Sequence, residues 1–310
     1  MARRKRGRPV DGWLILDKPV GLGSTKAVSI VKRLFDAQKA GHGGTLDPLA
    51  SGLLPIAFGE ATKTVQFVMD GTKTYRFTVK WGEETNTDDA EGGVVETRDV
   101  RPDAQAIIGI LGDFTGVIEQ VPPQFSALKV GGERAYDLAR EGHEVKLAAR
   151  EVEIDALRLV ECPERDHAVF EVECGKGTYV RALARDMGRR LGCLGHISAL
   201  RRVAVGPFDE SDMISLEKLH DLRHKGAGPE GLDEVLCSVE TALDDIPALA
   251  IDGTQAARLK QGQSVILRGR DPPIAEDPVL VTWRGSPVAI ARIEGGILRS
   301  TRVFNLSNGR

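Results

Sequence analysis

Residues 74–81 read TYRFTVKW with a strict period of two. Tyr75, Phe77, Val79 and Trp81 fall on one side, and Thr74, Arg76, Thr78 and Lys80 on the other. Successive side chains of a strand point to opposite faces, so this pattern predicts a half-buried β-strand and requires a layer to cover its apolar side. EVEIDALRLVEC and HAVFEVECG read as paired strands, ALRRVAVGPF as another, and WLILDKPVGLGS as a short strand entering a Pro/Gly turn. Helical spacing appears in STKAVSIVKRLFDA, through Val28, Val31, Leu34 and Phe35, and in TYVRALARDMGRRLG, through Val180, Leu183, Met187 and Leu191. DAQAIIGILGDF and SLEKLHDLR also read as helices. EETNTDDAEGG reads as an acidic turn, residues 224–231 (HKGAGPEG) as a flexible loop, and VPPQFSALKVGGERAYDLAREG as a Pro/Gly-punctuated excursion with a short helix near its end. From about residue 246 the pattern becomes short strands and turns, a small β-rich domain.

The 310 residues suffice for one large domain and a small one. No apolar run approaches the ~20 residues of a membrane span, and the basic start has no apolar segment behind it. The four cysteines form no CxxC, which argues against zinc and disulfide frameworks and suits a reducing cytoplasm. The net charge is −3, yet residues 1–10, read as a disordered arm, carry five Arg/Lys and no acid, and residues 246–310 carry nine Arg/Lys against five Asp/Glu. Basic ends attract polyanions such as RNA, although charge alone favours a solvated tail and an ordinary surface. No phosphate loop, dinucleotide fingerprint, calcium loop, HExxH or GxSxG occurs. Cofactor-dependent and metal- or serine-dependent hydrolytic chemistry is therefore unsupported.

One carboxylate stands out. In GHGGTLDPLASGLLPIAFGEATK (41–63), Asp47 is the only charged residue before Glu60. Asp followed by Pro is a common helix start, so Asp47 could be a simple N-cap. The local residues favour that reading; the functional one, which is compatible with it, is a nucleophile or base beside an apolar pocket, provided a cation keeps it ionised. Arg181, Arg185 and Arg189 recur every four residues and form one ridge, either solvated and paired with Asp186 or contacting phosphates. Tyr75 and Tyr179 are by default buried rings with satisfied hydroxyls, and His42 alone would be a loop residue.

Together these segments resemble the bacterial TruB family of tRNA pseudouridine synthases, in family order from about residue 12 to 207. LDKPVGLGS resembles the Lys-Pro motif, with Gly23 where Ser or Thr is more usual. The 41–63 segment resembles the catalytic motif, and KTYRFTVKWGEETNTDDAEG the tyrosine strand with its acidic turn. PPQFSALKVGGERAYDLAREG resembles an RNA-gripping insertion, about 121–150, and GTYVRALARDMG and LRRVAVGPF the arginine and leucine motifs. The resemblance implies an α+β pseudouridine synthase fold with a mixed, largely antiparallel sheet over 11–245, and a PUA-like RNA-binding domain over 246–310. It implies isomerisation of the uridine at position 55 in the tRNA T loop by base flipping, without cofactor or metal. Asp47 would be the catalytic carboxylate and Arg181 its partner. Tyr75 would stack on the uracil, Tyr179 and Leu200 would shape the pocket, and His42 would fill the gap left by the flipped base. Lys18 and Pro19 would brace the catalytic loop. Arg185, Arg189, Lys129 and Arg134 are candidates for RNA phosphate contacts. The apolar run after Asp47 would line a dry pocket. A monomer acting in the cytoplasm on the T arm, with no membrane, guide RNA or protein partner, is the expectation. Competing readings are a non-catalytic RNA-binding protein or tRNA-folding helper, a guide-dependent relative acting on ribosomal RNA, and a glycosidase, for which no second carboxylate is persuasive.

Overall fold

The computed structural model describes residues 7–126, 128–130, 133–134, 147–268 and 273–306. In chain order the first strands are β1 (Gly12–Lys18), β2 (Ala40–His42), β3 (Ser51–Phe58), β4 (Lys73–Trp81), β5 (Glu83–Thr85), β6 (Val94–Thr97) and β7 (Gly116–Gln120). Then come β8 (Lys129–Val130), β9 (Glu133–Arg134), β10 (Arg150–Glu164), β11 (His167–Cys174), β12 (Gly195–Val205) and β13 (Ile214–Ser215). The tail adds β14 (Ala248–Ala250), β15 (Val265–Ile266), β16 (Ala275–Trp283), β17 (Ser286–Glu294) and β18 (Ile297–Val303). The helices are α1 (Ser24–Leu34), α2 (Val65–Asp70), α3 (Ala104–Ile110), α4 (Val180–Arg190), α5 (Leu216–Leu222) and α6 (Gly253–Lys260).

The central sheet runs β13-β1-β3-β12-β4-β11-β10-β7, with β2 also on β3. Only β1–β13 and β3–β12 are parallel. Along β4, Phe77, Val79 and Trp81 are buried as the alternation requires, and Tyr75 is only half-buried. β3 is buried on both faces: Leu54, Ile56 and Phe58 join one core, Leu53 and Ala57 the other. The run after Asp47 is therefore continuous because it is a central strand, and not because it lines a pocket. Gly52 permits the close β3–β12 crossing, since at φ +94 a Cβ there would lie 2.2 Å from the Arg202 carbonyl oxygen.

The second core joins the tail to the sheet: Trp13, Ile15 and Val68 pack with Leu280, Ile290 and Phe304. Lys63 Nζ also donates to Val303 O at 2.7 Å. The tail is β-rich, a sheet in the order β14-β16-β17-β18-β15, but it also contains α6. The cap was present in the sequence: Asp252 and Gln255 make a reciprocal capping box, and Ala256 and Leu259 give the buried stripe.

Three other expectations change. Residues 223–227 and 230–235 are helical turns, with Leu232 buried, so 224–231 is not an open loop. The basic arm is shorter than ten residues: Arg8 donates to both carboxylate oxygens of Asp233 (2.6 and 2.8 Å), and Val10 is in the core. No helix follows Asp47, so it is no N-cap; its carbonyl accepts from Ala50 N in a turn. The short helix expected near 135–146 lies outside the described residues. Among the described residues no helix is long and apolar enough to cross a membrane.

Candidate active site

Asp47 sits on the loop between β2 and β3, which is fastened from both sides. Ser24, buried at the start of α1, exchanges two 2.8 Å hydrogen bonds with the Leu46 backbone. Gly21 N donates to Pro48 O at 2.8 Å. Fully buried Lys18 donates to Pro19 O (3.0 Å) and Leu22 O (2.7 Å), bracing the turn that holds Pro48. Burial lowers the Lys18 ammonium to about 8, with Asp47 pulling the other way.

Arg181, in the first turn of α4, places Nη2 2.9 Å from Asp47 Oδ2. The Asp47 side chain is 42% exposed, and that of Arg181 only 8%, so the acid faces open space while its cation is anchored inside. The contact uses one guanidinium nitrogen. The other, Nη1, lies 3.3 Å from Asp89 Oδ2 and donates to Thr87 O at 3.0 Å, and Nη2 also donates to Phe125 O at 2.9 Å. Arg181 thus bridges two acids.

The rest of the arginine ridge continues this pattern. Arg185 is buried, with Nη1 2.9 Å from Asp88 Oδ2, Nε on Asp186 and Nη2 on Val121 O. Arg189 is half-exposed and forked onto Glu84 (2.6 and 2.9 Å). The expected phosphate-contacting face is instead a ladder of ion pairs with the acidic turn. Arg185 is corrected to an internal strut, because its donors are already used and water-shielded. Asp88 is pushed up to about 6 by burial, against the pull of Arg185 and Arg181. Lys129 and Arg134 are backbone register partners in the β8–β9 ladder.

A cavity of about 200 Å³ opens beside this pair and is lined by Asp47, Tyr75, Tyr179, Arg181 and Leu200. Five residues from four distant segments converge there. It is smaller than the ~300–1,000 Å³ of drug-sized ligand sites and suits one planar ring. Loss of water pushes the Tyr75 phenol above its ordinary value, with the Arg202 guanidinium opposing. Tyr179 is held by its backbone: it exchanges hydrogen bonds of 2.8 and 3.1 Å with buried Gln120, and Arg150 stacks over its ring. His42 does not line the cavity. It lies on β2 opposite Ile56 with its Nδ1 buried and, among the described residues, unpartnered, and burial, helped by Arg202, lowers its proton affinity.

The sequence reading missed Asp89, Gln120 and Ser126. Asp89 looked like part of a solvated turn but is 2% exposed. Ser126 lines the cavity, is 3% exposed, and its hydroxyl has no partner among the described residues. No local signal marks either residue. Among the described residues no group of three or more His, Cys, Asp or Glu could hold a metal.

This architecture has counterparts among solved structures. A chain from an H/ACA RNP bound to a substrate RNA containing 2′-deoxyuridine superposes with a TM-score of 0.74 at 24% identity, over 99% of this chain and 92% of that one. A chain from a Cbf5-Nop10-Gar1 complex gives 0.71 at 26%, over 99% and 90%. The fold is that of the pseudouridine synthases. Family models described as TruB family pseudouridylate synthase (N terminal domain) and tRNA pseudouridylate synthase B C-terminal domain match residues 32–180 and 181–244. The chain is 63% identical over 305 residues to tRNA pseudouridine synthase B of Rhodopseudomonas palustris, covering 98% of this chain and 83% of that protein. It is 59% identical to the one of Agrobacterium fabrum, covering 97% of each. The chain belongs to the TruB family of pseudouridylate synthases.

Proposed function

We propose that the chain isomerises uridine to pseudouridine at position 55 in the T loop of tRNA. The observation that carries this reading is Asp47, fixed by Arg181 at the mouth of a base-sized cavity whose wall includes Tyr75. The reaction breaks C1′–N1, turns the uracil, forms C1′–C5, moves a proton from C5 and returns one to N1. Atoms and oxidation state are conserved, so no cofactor or metal is required. Every route open to a carboxylate here needs it held in place, and Arg181 Nη2 holds Oδ2 at 2.9 Å. The base must leave its stack to reach the acid. Tyr75 stacks on it, Leu200 and Tyr179 bound it, and the unpartnered Ser126 hydroxyl offers it a hydrogen bond. His42, neutral and just outside, fills the space that the base leaves. The chain acts as a monomer in the cytoplasm without guide RNA; the insertion at about 121–150, with Lys129 and Arg134, and a PUA-like tail grip the T arm.

The test is tritium release from 5-tritiated uridine in an unmodified tRNA transcript, followed by mapping of the product. Release from position 55 alone is expected. No release, or release from another position, overturns the assignment.

A further inference from the structure

A second cavity of about 230 Å³ adjoins the catalytic one and shares Thr45, Tyr75 and Thr178 with it. Its charged lining is Asp70, Lys73, Lys176 and Arg202. Asp70 is taken by Lys176 at 2.9 Å. That leaves Lys73 and Arg202, 8% and 2% exposed. Among the described residues neither has a carboxylate within ion-pair distance. Lys73 Nζ donates to the carbonyls of Met69 and Gly71, and Arg202 donates to those of Leu53 (2.8 Å) and Gly44 (3.2 Å). Carbonyls satisfy hydrogen bonds but supply no counter-charge. Buried Lys and Arg are almost always ion-paired, so two uncompensated cations beside an open cavity are an unusual arrangement.

A third space has the other sign. The groove of about 600 Å³ that shares Asp47 and Arg181 with the catalytic cavity carries Asp47, Asp89 and Glu91 against Lys26 and Arg181. A nucleotide whose base enters the catalytic cavity brings its own phosphates with it. The acidic groove repels them and the Arg202 cavity attracts them.

We propose that the Arg202–Lys73–Lys176 cavity is a binding site for an RNA backbone phosphate adjoining the flipped uridine. The site rests on the uridine reading above. It is an addition to it, because it fixes the direction in which the strand leaves the base pocket. Tyr75 lines both spaces, so a base in one lies beside the cations of the other.

The experiment uses the full chain and a T-arm hairpin in which single phosphates around the target are replaced, one at a time, by neutral methylphosphonates. For the wild-type protein one linkage flanking the target should weaken binding about ten- to a hundredfold, the range of a lost charged hydrogen bond. Lys73→Met should bind the native hairpin more weakly and lose most of its dependence on that linkage, and Lys176→Gln, which leaves the Asp70 carboxylate unpaired in the cavity, should lose part of it. Lys176 is on the surface, so its variant keeps the test readable if Lys73→Met does not fold. If no flanking linkage matters to the wild type, or the variants lose the same further factor as the wild type at that linkage, the site is refuted. Conversion of the unmodified hairpin by the wild type is scored separately: its failure would refute the uridine reading, whereas conversion without linkage dependence refutes only the phosphate site.

Discussion

Arg181→Lys is expected to be a severe substitution. The guanidinium spans four acceptors from two nitrogens: Asp47 Oδ2, Asp89 Oδ2, Thr87 O and Phe125 O, at 2.9–3.3 Å. An ammonium is a single point with three donors and cannot bridge two carboxylates and two carbonyls. At least two contacts are lost, one of them to an acid. Hydrogen bonds to charged groups are worth about 1.5–3 kcal/mol each, so roughly 3 kcal/mol of site organisation disappears. If the loss falls on the transition state, ~1.4 kcal/mol per tenfold gives a single-turnover rate about a hundredfold lower. Asp47 is half-exposed and, among the described residues, its side chain is tethered at one oxygen, so affinity for RNA should change much less. Single-turnover tritium release, binding of the T-arm hairpin and thermal melting together make the measurement. A rate within twofold of wild type in a protein of unchanged stability would mean that Arg181 does not hold Asp47, and the bridging account would fail.

Asp47→Asn keeps shape and the turn, and should abolish isomerisation while leaving tRNA binding nearly intact; near-normal turnover would remove Asp47 from the chemistry. Asp88 has its proton affinity raised on folding to about 6 from 3.8, so the folded state binds the extra proton between those values. Wild-type stability relative to Asp88→Asn should therefore fall as pH rises from 4 to 6, by roughly 3 kcal/mol, and level off above, which denaturant unfolding at each pH would detect; a flat difference would refute it. Phe304→Ala, at the seam between tail and sheet, should cost about 3–5 kcal/mol in unfolding experiments, and a loss under 1 kcal/mol would mean that the tail is not part of the folded core. Deleting residues 1–6 removes four basic side chains but spares Arg8, and should flatten the salt dependence of tRNA binding without slowing single-turnover chemistry; an unchanged slope would make the arm a solubility device.

Sequence alone determined the parts whose cause is local. The period of two in 74–81, the stripe of Val180, Leu183 and Met187, and the motifs that carry Asp47, Tyr75, Tyr179, Arg181 and Leu200 were all legible, because strand and helix periodicities and motif order are written residue by residue. Even α6 was written there, in the Asp252 and Gln255 cap that the reading passed over. What only the tertiary structure decided is where charge is buried. Asp88 and Asp89 lie in a glycine-flanked acidic turn that reads as solvent-facing, and Arg185 lies on a ridge that reads as RNA-facing. The pairs Asp88–Arg185 and Asp89–Arg181 each join residues more than ninety positions apart, and only the fold brings the two stretches into one ladder. The uncompensated cations at Lys73 and Arg202 are equally invisible, since each looks like an ordinary polar position on an alternating strand. Desolvation and pairing belong to the packed chain: a charge's surroundings are set by segments distant in sequence, and no window of the sequence contains them.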